Sequence, residues 1–577
     1  MSFLDEADRR RKELDDRHRP WRSLTLTGLL DDVAARFPGR PFVITDQETV
    51  SYGELARRSA GLARGLIERG VRAGDRVALV LPNGTDLIAA RFAVARAGAV
   101  AVPVSFRLHA GELAGVLGQA RATALITMEE FREIDALAAL DRIVPGWDSE
   151  PDRPASAAPE LRLIVTVPDG APRRRLGPGA LVLRELALGP RDDLDAELAA
   201  RAAAATAPDL ATIFYTSGTT GLPKGVLSTH DMELRSAYGS AYARAFEDGR
   251  RILFALPLNH VFAYVEGLLA AMFVAGSVVV QPVFDPAESL AAIERHRVGE
   301  ALFVPTMSLA VVEVARKSSF DLSSLHSVMS AASSAPASLW NDLSEVLGVP
   351  QLVTAYGMSE TSAATTFTRP GGPVDDLVHT VGWPKPAGIA GEAALDGGLA
   401  EYKAVDQVTG ADLPGGREGE LVARGPIVSP GYFEQPETTA AAAMPGGWLR
   451  SGDLGYVRED GALVLTGRAR DVYKCGAELV MPTEVEACLT RHPGIAQAYV
   501  VGVPDPRMGE VGCAWIVPAG QAELDAEEVI GYCRAELARF KVPAYVLFTT
   551  AGQLPLTVSG KVQKFKLAER AAGELTP

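Results

Sequence analysis

The sequence predicts an α/β protein: a large N-terminal domain of layered, largely parallel sheets and helices, then a small, mobile α+β C-terminal domain. Three observations carry this. Strand-length apolar runs alternate with helical patterns through the first part of the chain, the mark of parallel sheets covered by helices. A second texture of short strands and helices begins at Gly461. The chain has 577 residues, 47% of them hydrophobic. At roughly 100–200 residues per domain, that is more than one core.

The elements follow in order. Residues 76–81 read as a strand, 86–97 as a helix with small apolar residues on one face, and 99–104 as a strand, which is a β-α-β unit. The pattern returns at 251–256, 264–275 and 277–281. The most apolar stretch, 267–280, has fourteen residues. That is short of the roughly 20 needed to span a bilayer, so it reads as buried core. Between about 145 and 207 the Pro-rich run PGWDSEPDRPASAAPE, then GAPRRRLGPG, then an Ala/Glu/Asp-rich helix pattern at 190–205 form a peripheral insertion. In the second texture, 462–466 is strand-like and 468–471 is a charged joint. Residues 483–492 are helical with Thr483 as N-cap. Then 496–503 and 512–517 are strands and 526–537 is a helix. The predicted division is an N-terminal domain of 1–467, a hinge of 468–471 and a C-terminal domain of 472–577.

Chemistry concentrates first in YTSGTTGLPKGV, residues 215–226. Glycines let backbone N–H groups turn inward, and such a concavity binds anions. The hydroxyls add donors, and Lys224 adds a mobile charge. The apolar run 210–215 places this loop at a strand end. A polyphosphate is the natural cargo. The ordinary P-loop spacing is absent, because no glycine directly precedes Lys224. The net charge of −15 and pI near 5.2 argue against nucleic acid as main partner. The four cysteines, Cys475, Cys488, Cys513 and Cys533, lack C-x-x-C spacing, and the charged start MSFLDEADRRRKELDD has no apolar signal core. A cytoplasmic location without stable membrane insertion is expected.

With LPLNHVFA (256–263), YGMSE (356–360), VGWPKP (381–386), GYFEQPETT (431–439), WLRSGDLGYV (448–457), GRARDVYKCGAELVMPTEVE (467–486) and PLTVSGKVQK (555–564), this signature resembles the ordered motifs of the adenylate-forming superfamily. Within it, the closest likeness is to acyl-CoA synthetases, the AMP-dependent acid–CoA ligases. The resemblance covers about residues 25–566. It implies ATP, Mg²⁺ and coenzyme A, and two half-reactions: a carboxylate is adenylated with release of pyrophosphate, then a thiol takes the acyl group. Joining two anions requires positive charge and alignment.

The resemblance assigns Thr216, Ser217, Gly218, Thr219, Thr220, Gly221 and Lys224 to the β- and γ-phosphates. Glu360 and Thr216 are assigned to Mg²⁺, Ser359 to the α-phosphate, and Tyr356 with Gly357 to the nucleotide. Tyr356 also reads as a core aromatic. Asp453 and Arg468 would meet the ribose, and Lys561 would serve adenylation by bridging the substrate carboxylate and α-phosphate. His260 would gate the acyl pocket from the thiol tunnel. Asp471 is the hinge candidate, with Lys474 and Gly476 on the tunnel face after rotation.

The acyl wall would comprise Val261, Phe262, Leu268, Met307, Ser333 and Ser334. The loop 330–335 lacks the glycines many relatives carry, and methyl and hydroxymethyl groups would narrow and stiffen it. No Asp follows the LPL-type motif up to Leu269, so a free amino acid is disfavoured and a hydrophobic acid expected. Two other readings stay open: a stand-alone adenylating enzyme loading a carrier-protein thiol, and a degenerate member that only binds nucleotide or acyl ligand.

Overall fold

The structure, a computed structural model, describes residues 3–22, 24–149, 158–168, 176–177, 179–216, 223–469, 471–475, 478–505, 507–520, 522–557 and 561–575. Two seven-stranded sheets organise the N-terminal part. In the first the order is Gln351–Val353, Ser327–Ser330, Glu300–Phe303, Arg251–Phe254, Ser277–Val280, Pro41–Ile44 and Thr49–Ser51. All pairs are parallel except the last. In the second it is Lys224–Thr229, Leu210–Thr216, Val100–Pro103, Arg76–Val80, Ala124–Met128, Leu163–Val167 and Leu181–Val182. Only the Lys224–Thr229 edge is antiparallel.

Strand alternation sends successive residues to opposite faces, and this builds the layers. Ile252 and Phe254 of the first sheet, with Val77 and Leu79 of the second, share one core with helices Leu26–Arg36, Tyr52–Glu68, Thr85–Arg96 and His230–Ala243. Leu253 and Phe303 face outward onto helices Pro286–His296, Pro305–Ala315 and Ala337–Leu347. Ala78 and Val80 face helices Ala110–Gln119 and Ala136–Ile143. The arrangement is helix, sheet, helix, sheet, helix, as the alternating pattern predicts.

Smaller antiparallel sheets follow. One joins Ala355–Met358, Ala363–Phe367 and Trp383–Pro384; another joins Glu401–Val405, Gly419–Arg424, Trp448–Val457, Ala443–Met444 and Leu463–Arg468. The C-terminal unit has its own core around Tyr473, Trp515 and Leu567. Its sheet pairs Ile495–Asp505 with Gly509–Pro518, and Tyr545–Phe548 runs parallel to the latter. Its four cysteines are buried free thiols, and burial pushes Cys513 and Cys533 up to about 12. No described helix is long and apolar enough to cross a membrane.

Three local expectations are corrected. The predicted helix 264–275 is a π-helix over Phe262–Leu269, continued by Ala270–Met272. Thr483 is not an N-cap: the helix starts at Pro482 with Met481 at the cap position. Proline suits the first helical position because its missing N–H would be unpaired there anyway, and the Thr483 hydroxyl instead donates to the Thr466 carbonyl. Arg468 closes the strand Leu463–Arg468 rather than opening a loop.

Through the N-terminal core runs a chain of fully buried charges. Lys385 Nζ donates to Ser236 O and Oγ at 2.9 Å and to Ser240 Oγ at 3.0 Å, and lies 3.7 Å from Glu266. Glu266 is 3.4 Å from Arg244, which binds Glu300, which is 2.7 Å from Arg250. Each charge has an opposite neighbour, the condition under which ions persist without water. Burial still pulls Lys385 down to about 8.

Candidate active site

The phosphate signature occupies a hairpin. Strands Leu210–Thr216 and Lys224–Thr229 pair antiparallel, with Thr216 opposite Lys224 at the mouth of the turn. Ser217, Gly218, Thr219, Thr220 and Gly221 lie outside the described residues. The hairpin leaves the carboxyl end of Leu210–Thr216, whose neighbour Val100–Pro103 is parallel. In open α/β sheets that edge is where ligands bind.

Beside the hairpin the antiparallel pair Ala355–Met358 and Ala363–Phe367 carries YGMSE. Gly357 has a steric reason to be glycine: a Cβ there would stand 1.8 Å from the Ala363 carbonyl oxygen. Ser359 is buried and opens the short turn Ser359–Thr361. The turn leaves Ser362 and Ala363 at φ of 50° and 76°. Two successive left-handed residues without glycine cost roughly 1–2 kcal/mol each. Strain of this kind clusters at ligand sites, and no sequence signal marked it.

Tyr356 is 7% exposed, and its hydroxyl donates to Asp453 Oδ2 at 2.6 Å. Arg468 Nε lies 2.9 Å from the other oxygen. Asp453 and Arg468 are register partners on neighbouring strands. Burial, then the Asp453 charge, hold the Tyr356 phenol far above its ordinary range, so it stays a donor. The ring packs on Tyr402 at 5.8 Å, so the core-aromatic reading of Tyr356 has its own support. The Asp453 charge raises Arg468.

His260 stands just before the π-helix, and its Nδ1 accepts from Phe262 N at 3.3 Å. π-Helical turns occur mostly at functional sites. Burial, and then the positive charge of Lys561, push His260 down to about 4. The charge of Lys561, borne by the C-terminal unit, thus acts on a residue of the N-terminal site. Lys561 N donates to Thr557 Oγ1 at 3.0 Å, Thr557 N donates to Lys561 O at 2.6 Å, and Leu556 bridges to Val562.

Around His260, Phe262, Met307 and Ala332 are partly buried against the main core, and Ser333 and Ser334 are exposed. Val261 and Leu268 are at 2% and 0% exposure. Both side chains pack into the main core. Ala332 has φ of 81°, a conformation glycine adopts freely and alanine does not. On the hinge side, Asp471 N donates to Arg468 O at 3.0 Å. Lys474 is exposed, with its N–H on Glu510 at 2.9 Å. Gly476 lies outside the described residues.

Glu360 is half-buried. Its Oε1 accepts from the Tyr432 hydroxyl at 2.9 Å and its carbonyl accepts from Ser429 N at 2.7 Å. Mg²⁺ takes oxygen donors, commonly one or two carboxylates plus substrate phosphates. A single hard carboxylate beside the phosphate hairpin fits that ion.

The chain matches the AMP-binding enzyme family over residues 30–433 and the AMP-binding enzyme C-terminal domain over 484–561. It belongs to that family. Within the adenylate-forming superfamily it is an acyl-CoA synthetase, an ATP-dependent acid–CoA ligase working through an acyl-adenylate. It is 34% identical to a CoA ligase for a (7a-methyl-1,5-dioxo-octahydro-1H-inden-4-yl)propanoyl group from Mycobacterium tuberculosis (strain ATCC 25618 / H37Rv), over 94% of this chain and 98% of that relative. It is also 34% identical to a feruloyl-CoA synthase from an Amycolatopsis species, over 90% and 94%. Among solved structures it resembles ATP-bound MatB from Rhodopseudomonas palustris, with TM-score 0.77, 25% identity and coverage of 96% and 100%.

Proposed function

We propose that this ligase activates a hydrophobic acid whose only charge is its carboxylate, and that it does so in the domain arrangement seen here. The charge of Lys561 acting on His260 across the two units carries the reading. In that arrangement the Lys561 ammonium would bridge the substrate carboxylate and the α-phosphate as they join. Lys224 and residues 216–221 would hold the leaving pyrophosphate. Asp453, oriented by Tyr356 and Arg468, would accept from the ribose hydroxyls. Mg²⁺, held by Glu360 with Thr216 alongside, would supply charge neutralisation at the phosphates. Residues 1–467 would form the adenylating body, and 472–577 would turn about Asp471 to present Lys474 and Gly476 to the CoA thiol.

The partly buried Phe262, Met307 and Ala332 support an apolar acid, as do relatives named for feruloyl and bicyclic propanoyl groups. Glu266, the acidic residue nearest the LPLN motif, is committed to Lys385, Arg244 and the Ala364 N–H. It is therefore not available to an α-ammonium. A cavity of about 320 Å³ at the carboxyl ends of Arg76–Val80 and Val100–Pro103 is mostly apolar, with Arg107, His109, Arg142 and Asp135 among its lining residues. The two arginines are candidate contacts for the phosphates of CoA.

The test is Lys561→Ala assayed in separate half-reactions. Pyrophosphate exchange with the best acid of a panel should fall about 10²–10³-fold, while thiolation from supplied acyl-adenylate persists. Near-normal exchange refutes the assignment.

A further inference from the structure

Lys224 and Glu360 carry opposite charges, and both flank the phosphate hairpin. Among the described residues no ion pair joins them. Tyr432 stands between. Its hydroxyl reaches Glu360 Oε1 at 2.9 Å, and the Lys224 ammonium lies 5.3 Å from its ring centroid, within the range at which an aromatic face attracts a cation. The edge of one side chain holds the anion while its face holds the cation.

The backbone that carries Tyr432 is fixed independently of the phenol. Leu227 N donates to Gly431 O at 3.0 Å and Phe433 N to Gly225 O at 2.7 Å, so the segment adds an antiparallel rung to the hairpin's second strand. On its other side Ser429 N reaches the Glu360 carbonyl at 2.7 Å. Gln435 Nε2 donates to Pro223 O at 3.3 Å, and Gln119 Nε2 to Phe433 O at 2.7 Å. Tyr432 N donates to Thr439 Oγ1 at 3.0 Å. Gly431 has φ of 141°, and a Cβ on it would meet Thr439 Cγ2 at 2.4 Å. Residues 429–435 thus clip the Lys224 strand to the Glu360 turn through backbone and amide groups.

We propose that Tyr432 is a positioning residue for adenylation: its phenol fixes the Glu360 carboxylate, and its ring keeps Lys224 from collapsing onto that carboxylate. Each group then stays available to its own ligand, the cation for Glu360 and the phosphates for Lys224. This rests on the reading that those two residues serve Mg²⁺ and ATP.

The experiment uses the full chain and α,β-methylene-ATP, which binds without reacting. Calorimetric affinity for the nucleotide is measured at stepped Mg²⁺ concentrations. Tyr432→Phe keeps the ring and removes only the hydroxyl, so the Mg²⁺ concentration giving half-maximal affinity should rise about tenfold, with affinity recovered at saturating Mg²⁺. Such a loss is of the size expected for a hydrogen bond to a charged group. Tyr432→Leu removes the spacer as well, so nucleotide affinity should stay low even at saturating Mg²⁺. A merely structural role for Tyr432 would lower affinity equally at every Mg²⁺ concentration, which overturns the proposal.

Glu360→Gln separates the two levels of the argument. If it leaves the Mg²⁺ dependence unchanged, the reading of Glu360 itself fails. If it shifts that dependence while Tyr432→Phe does not, only the positioning role fails. The double variant should shift it no further than Glu360→Gln alone, because the hydroxyl acts through the carboxylate; additive shifts count against the coupling.

Discussion

Glu233 offers a quantitative test of how the hairpin is supported. It sits in the first turn of helix His230–Ala243 at 0% exposure. No hydrogen bond of normal geometry reaches either carboxylate oxygen. Arg91 and the hydroxyls of Thr212, Ser228 and Tyr264 are its polar surroundings, and burial pushes it up to about 7 against an ordinary 4.5. Thr212 and Ser228 belong to the two hairpin strands. Arg91 donates to Leu258 O at 2.9 Å, in the LPLN motif, and lies 3.4 Å over the Tyr264 ring. The carboxyl group thus lies against both hairpin strands and the π-helix.

The sign follows from proton counting. Between pH 4.5 and about 7 the folded chain keeps a proton on Glu233 that the unfolded chain has released. Stability therefore falls as pH rises through that window, and the full cost is present above it. A shift of this size corresponds to roughly 3 kcal/mol. Glu233→Gln removes the titration. It should match the wild type near pH 5 and be more stable at pH 8 by up to roughly 3 kcal/mol. Unfolding entropy near 2 cal/mol/K per residue makes that a Tm gain of about 2–3 °C. His260, down to about 4, also titrates with pH, but its contribution is common to both proteins and cancels in the difference. Scanning calorimetry of the pair from pH 5 to 8 is the measurement. A Tm difference independent of pH, or a variant less stable at pH 8, would refute the reasoning.

Two further outcomes are expected. Asp471→Pro deletes the N–H that now bonds Arg468 O and fixes φ; single-turnover thiolation should slow by more than pyrophosphate exchange, and slowing of exchange alone would misplace the hinge. Ser333→Gly should widen the accepted acid panel if its side chain is a steric wall, or weaken the best acid if its hydroxyl is a contact, as read by AMP release. An unchanged panel removes this loop from selectivity, and efficient turnover of a free α-amino acid by the wild type would overturn the single-charge reading, because a buried ammonium without a partner is costly.

What was legible in the sequence was chemistry held in short runs. The loop of 216–224 at the end of a strand follows from the apolar run 210–215 and the glycine-rich residues after it, whereas its antiparallel return over Lys224–Thr229 was not read. The pairing of Asp453 with Arg468 lies within one hairpin of WLRSGDLGYV and the next strand. The layers were legible because alternation survives even where no partner strand can be named. What escaped was chemistry assembled across the fold. Lys385 meets Glu266 from more than a hundred residues away, and nothing local announces that a lysine in VGWPKP is fully buried. The π-helix escaped because its apolar residues suit any buried helix. For Leu268, motif position says that the residue is near the pocket, but not that its side chain is fully buried. Tyr432 stood inside a quoted motif, yet its two partners come from separate elements.

The charge of Lys561 acting on His260 bears on how the two half-reactions divide. On the proposed reading, the substrate carboxylate must find one cation at the moment it attacks the α-phosphate. A protonated His260 beside it would compete for that charge and hold the acid back. With His260 down to about 4, the imidazole is neutral at pH 7 and the charge of Lys561 is unshared. Were the C-terminal unit to turn away for thiolation, that ammonium would leave and its share of the depression would be lost. Burial is the larger cause, so the ring stays neutral as the thiol arrives. His260 would then gate by shape in both states, and thiolation from supplied acyl-adenylate would show no histidine titration near pH 6.5. On that reading the charge that changes between the half-reactions would be that of Lys561, carried in and out by the domain that bears it.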